Sequence, residues 1–95
     1  MKVSEITVET VKQYSRIDGD ADDTLISTII FAAKEYVKSY TGLTSEDIDL
    51  LDDLPIAVLA LAADMYDLRQ SSVSGTVSAN PAVKQILDSH SMNLV

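Results

Sequence analysis

Ninety-five residues with a net charge of −8 make one acidic domain with no room for a second core. The 46% apolar content excludes a disordered chain, and with four Tyr, one Phe and no Trp the core must come from Leu, Ile, Val and Ala, as in packed helices. Fifteen acids face seven bases, and Lys34 and Lys38 are the nearest approach to a basic cluster. That excludes a protein that wraps nucleic acid, which needs a basic patch.

The acidity itself serves solubility or steers a basic partner, and composition does not choose between the two. With no cysteine, disulfides and thiolate chemistry are excluded. The stretch from Met1 to Glu5 has no apolar region of the signal-peptide kind. The longest apolar run, Leu54 to Ala63, is ten residues including Pro55, short of the roughly 18 a membrane span needs. The expectation is a soluble protein made in the cytoplasm.

In chain order, Thr7 caps a first short helix with Val8, Val11 and Tyr14 as its apolar stripe, and Glu9 suits its positive end. Gly19 separates it from a long second helix, expected from Asp20 or Ala21 to Thr41. There Leu25, Ile29, Ala32, Tyr36 and Tyr40 form one row, and Ile26, Ile30, Ala33 and Val37 an adjacent one. The merged face is wider than the roughly 100° a one-sided surface helix requires. Asp20, Asp22 and Asp23 favour its start, Lys34 and Lys38 its second half, and Gly42 its left-handed cap.

Thr44 to Asp47 reads as the cap and first turn of a short helix through Leu51, broken by Asp52 and Asp53. Pro55 suits the start of the next helix, expected from Pro55 to about Gln70. Its first half, Ile56 to Ala63, is apolar on every side, and a helix without a polar face has to be surrounded. A chain this short has few ways to do that, so the pattern predicts shielding by neighbouring copies. Ser71 to Asn80 has no period and is expected to be a flexible loop, or two short strands meeting at Gly75. Pro81 opens a last helix, Ala82 to about Ser89, with Val83, Ile86 and Leu87 inward, and the tail from His90 to Val95 is expected to be mobile.

Few residues are placed for chemistry. Asp18, Asp20 and Asp22 have the spacing of a calcium loop, but Asp23 stands where its glycine belongs and Ile29 where its bidentate glutamate belongs, so helix capping is the better reading. His90 is the only histidine and has no cysteine beside it, which suits neither a zinc site nor a triad. No serine sits in a nucleophile-elbow turn, and three glycines in all leave no phosphate loop. Asp64 and Asp67, one turn apart, are expected to face solvent or the arginines Arg16 and Arg69. Each of those arginines ends a helix that also presents a tyrosine, Tyr14 or Tyr66. Bidentate contact with a carboxylate suits them, either between the first and third helices or across a subunit boundary. No catalytic, cofactor-binding or metal-binding residue is expected, and no enzyme.

The order of these elements resembles the small head–tail connector, or adaptor, proteins of long-tailed bacteriophages. The residues that carry the likeness are Tyr14, Arg16, Ile17 and Asp18 followed by Asp20, Asp22 and Asp23, then Ala32 to Val37, Tyr40-Thr41-Gly42, Tyr66 with Arg69, and Pro81 to Leu87. The segment His90 to Asn93 lacks the basic residue such proteins often carry there. The resemblance implies a dodecameric ring at the portal vertex that extends the DNA channel without binding DNA specifically. Its implied partners are further copies of itself, the portal protein and a head-completion or tail protein, with no membrane and no cofactor. The implied location is the virion, and the host bacterial cytoplasm during assembly.

The expected architecture is all-α: a single domain over residues 1–95, a compact bundle of four main helices, two long and two short, with an extra helical turn at 45–51. The expected subunit interface uses Arg16, Tyr36, Tyr40, Leu59, Tyr66 and Arg69. Ser74, Gly75, Thr76 and Val77 are the expected partner-docking loop. The alternative is a small acidic helical module, a regulator or inhibitor that binds a basic partner as a monomer or dimer.

Overall fold

The computed structural model describes the backbone of residues 1–71 and 81–91, with the side chains of all of these except 68–71. A 3₁₀ turn at Val3–Glu5 precedes five helices, α1 (Val8–Ser15), α2 (Asp23–Thr41), α3 (Ser45–Asp49), α4 (Leu54–Ser71) and α5 (Pro81–His90). The described residues are all-helical apart from turns and connections. The expected loop at 72–80, including Ser74, Gly75, Thr76 and Val77, and the tail at 92–95 lie outside the described residues.

Local chemistry sets most helix ends. Thr7 Oγ1 accepts from the Thr10 amide while Thr10 Oγ1 accepts from the Thr7 amide, at 3.4 and 3.2 Å, a reciprocal cap at the start of α1. Thr44 Oγ1 accepts from the Asp47 amide at 3.2 Å to start α3. At the end of α2 the chain turns left-handed at Gly42 (φ 75°), whose amide bonds to the Lys38 carbonyl. The helix begins later than its acidic run suggests: Asp22 is the N-cap, and Asp20 and Ala21 lie in the preceding turn.

Helix α4 is central. It packs against α2, α5, α1 and the 3₁₀ turn, so one chain covers most of its circumference. Leu54, Ala57, Val58, Leu61 and Ala62 are fully buried, and Leu59 retains 6% of its exposure. Among its described side chains, Ile56, at 59% exposure, and Asp67 are open, and Ala60, Ala63, Asp64, Met65 and Tyr66 are half-buried. The expectation that this helix needs other copies to shield it is therefore corrected. The 3₁₀ turn, which sequence periodicity does not reveal, supplies part of the cover through Val3 and Ile6, both buried.

Two further expectations change. Tyr14 is 50% exposed and does not belong to the core stripe of α1, whose inward residue is Val11. The chain stays helical through His90 instead of loosening there. His90 Nε2 lies 2.8 Å from both carboxylate oxygens of Asp53, and Ser91 Oγ donates to the Tyr40 carbonyl at 3.2 Å.

Candidate interaction surface

The acidic turn between α1 and α2 is held from two sides. Lys12 reaches back from α1 to Asp23 at 3.0 Å, and the Tyr66 hydroxyl on α4 donates to Asp22 Oδ2 at 2.5 Å. The hydrogen bond to Asp23 leads the causes that hold the Lys12 ammonium pKa above its ordinary value. Asp22 and Asp23 are thus spent on packing α1 and α4 against the start of α2. Asp18 and Asp20 remain exposed.

Arg16 sits at the edge of this turn, exposed, with left-handed backbone angles of φ 56° and ψ 45° and its amide bonded to the Lys12 carbonyl. It is the one non-glycine residue with positive φ among the described residues. No carboxylate among the described residues lies within ion-pair distance of it. A clamp between Arg16 and α4 is absent there; Tyr66 makes that link instead, through Asp22.

The opposite flank of α2 carries Tyr36 and Tyr40, stacked with ring centroids 6.0 Å apart. They border a hollow of about 240 Å³ closed by Val83, Lys84 and Leu87 of α5. The Tyr40 hydroxyl donates to Asp88 Oδ1, and Lys84 Nζ approaches Asp88 Oδ2 at 2.7 Å. Hydrogen bonds from Lys84 and Tyr40 hold the Asp88 carboxyl below its usual range, while the same contacts raise Lys84 and Tyr40. The cluster straps α5 to α2.

The sequence-expected interface residues are therefore not one patch. Leu59 is covered by its own chain, Tyr66 and Tyr40 commit their hydroxyls inside the subunit, and Tyr36 is half-buried beside Tyr40. Only Arg16 stands fully at the surface, and the Arg69 side chain lies outside the described residues. Sequence reasoning missed the single phenylalanine, Phe31, which is 67% exposed on α2. An apolar residue two places out of phase with the buried Ile29 and Ala33 is the signal that locates it.

No group of His, Asp or Glu among the described residues is arranged to hold a metal ion. Asp22, the third member of the calcium-like spacing, is turned to Tyr66. No described helix is long and apolar enough to cross a membrane.

Residues 5–90 match the family of phage gp6-like head-tail connector proteins. The chain belongs to this family. No curated protein and no solved structure matches it. As a head–tail connector it is a structural phage adaptor whose place is the virion, and the family is not known for catalysis. The match takes in all five helices, so the acidic turn, the flank of α2 and the α5 strap are all parts of the connector domain.

Proposed function

We propose that the connector assembles into a ring, dodecameric by its family resemblance, between the portal vertex of the capsid and the tail or head-completion proteins. The ring extends the DNA channel, and its acidic surface repels passing DNA instead of holding it. Family membership over residues 5–90 carries this reading. Arg16 supports it from within the chain. A left-handed arginine costs energy that glycine would not, so its side chain is retained for a contact the isolated subunit does not make.

Arg16 and Arg69 are proposed to form ion pairs across the subunit boundary, and Ser74 to Val77 to meet the portal or tail protein. Light scattering and negative-stain microscopy of the purified chain, alone and mixed with its portal protein, test the proposal. Closed rings are the expected result, and Arg16→Glu or Arg69→Glu should weaken them. A subunit that stays monomeric or makes a two-fold dimer in both conditions, and captures a basic protein instead, would establish the binding-module alternative.

A further inference from the structure

Along the flank of α2 that faces away from α5 runs a groove in two compartments. The first is a hollow of about 250 Å³ with Ile6, Val8 and Ile30 in its walls and the exposed Phe31 at its edge. The second, about 210 Å³, is lined by Lys34, Lys38, Ser45, Ile48 and Asp49, among others. Lys34 belongs to both, its Nζ donating to the Ile6 carbonyl at 3.4 Å. Asp49 is already engaged: it accepts the Ser4 amide at 3.0 Å, and hydrogen bonding from the Ser4 side chain and then its amide, with Lys2 and Lys34 nearby, holds its carboxyl below the usual range. Lys38 meets Glu35 at 3.5 Å, but both side chains remain about half exposed. In a chain with fifteen acids and seven bases, this groove combines an apolar hollow with two lysines on one helix face.

The matching surface lies at the start of the same helix, before both compartments. The turn leaving α1 presents Tyr14, 50% exposed, and the exposed carboxylates of Asp18 and Asp20. Neither carboxylate has a cation within ion-pair distance among the described residues, and Asp20 acts on Lys12 only through its field. From Asp23 to Lys34 and Lys38 is roughly 16–23 Å at the helical rise. Lys12 and Tyr66 hold the turn at the start of α2 through Asp23 and Asp22, so a chain cannot place its own turn in its own groove.

We propose that the groove beside Phe31, Lys34 and Lys38 receives the Tyr14–Asp20 turn of a second copy. The aromatic ring of the turn enters the apolar hollow, and Asp18 and Asp20 meet the two lysines. Because the two surfaces differ, the contact is head-to-tail, the kind that repeats and closes into rings. The proposal rests on the ring reading above and adds which surfaces make the boundary.

The chain has no cysteine, so disulfide trapping gives a direct test. Asp18→Cys and Lys38→Cys variants are purified separately, mixed and oxidised. The expected product is the mixed Asp18→Cys/Lys38→Cys dimer in excess over either homodimer. In parallel, Asp18→Lys/Asp20→Lys and Lys34→Asp/Lys38→Asp should each weaken self-association about 10- to 100-fold, as like-charge juxtaposition does. Mixing the two variants should restore assembly, since each supplies the complement of the other. Circular dichroism confirms that the variants remain folded, including the one that replaces the half-buried Lys34.

Wild-type rings that persist in both charge variants without mixed cross-links would overturn the proposed contact and leave the ring reading intact. Homodimeric cross-links alone would replace it with a two-fold contact. Normal self-assembly of the lysine variant with lost binding of portal or tail protein would assign the groove to that partner instead. A wild-type chain that is monomeric with and without portal, and gives no cross-link, would overturn both readings.

Discussion

Arg16 and Gly42 occupy equivalent positions after two helices: each is left-handed, and each sends its amide to the carbonyl four residues back. Glycine takes that conformation without steric cost, whereas a side chain at Cβ crowds the following carbonyl by about 1–2 kcal/mol. Arg16→Gly should therefore raise the stability of the isolated subunit by roughly 0.5–1 kcal/mol, the relief of that strain less the extra freedom of the unfolded glycine, while reducing assembly. Gly42→Ala should lower stability by about 1 kcal/mol. Urea unfolding of the monomer measures both, and a destabilised Arg16→Gly would show that the guanidinium serves the subunit's own fold. The neighbouring Ser15 makes a related point, since its hydroxyl is buried without a hydrogen-bond partner. Ser15→Ala removes that unmet group, and the same unfolding curves should show stability unchanged or raised by up to about 1 kcal/mol.

Among the elements, α5 is held by charge as well as by Val83 and Leu87. The Asp88 carboxyl is lowered by Lys84 and Tyr40, so the folded state binds that proton more weakly than the unfolded chain does. Its contribution is full above the ordinary aspartate range, near 3.9, and is lost as the pH falls through and below that range. Lys84 and Tyr40 are raised, so their contribution declines as the pH climbs through the alkaline range where each deprotonates. Hydrogen exchange of the α5 amides should quicken at both extremes, and Asp88→Asn should remove the acid-side change; an unaltered acid profile would mean the strap is only apolar. The helix spans were largely legible in the sequence because caps and breakers act within a few residues, as Thr7, Thr44, Gly42 and Pro81 do. The ties that orient the helices were not. Tyr66 meets Asp22 across 44 residues, Tyr40 meets Asp88 across 48, and His90 meets Asp53 across 37, and no period or spacing encodes which carboxylate a distant hydroxyl or imidazole finds. Arg16, Tyr36 and Tyr40 were named from the sequence and Phe31 was not, because its exposure depends on how the 3₁₀ turn and α1 leave that flank of α2 uncovered.

For the whole molecule, the all-round apolar character of α4 is answered within the subunit. Four elements wrap it, and the radius of gyration is 13.0 Å, close to the roughly 12 Å expected of a compact chain this long. The proposed ring would therefore draw on surfaces that the folded subunit already has. Two substitutions on α4 test this. Leu59→Ala opens a cavity inside the subunit and should cost about 2–4 kcal/mol at concentrations where only monomer is present. Ile56→Ala trims an exposed side chain and should change monomer stability by less than about 0.5 kcal/mol. The midpoint of thermal unfolding for the monomer should also be independent of protein concentration, because no partner binds the native state there. A small loss at Leu59, or a midpoint that falls steadily on dilution, would mean that α4 depends on neighbouring copies after all, and that the subunit and the ring fold as one.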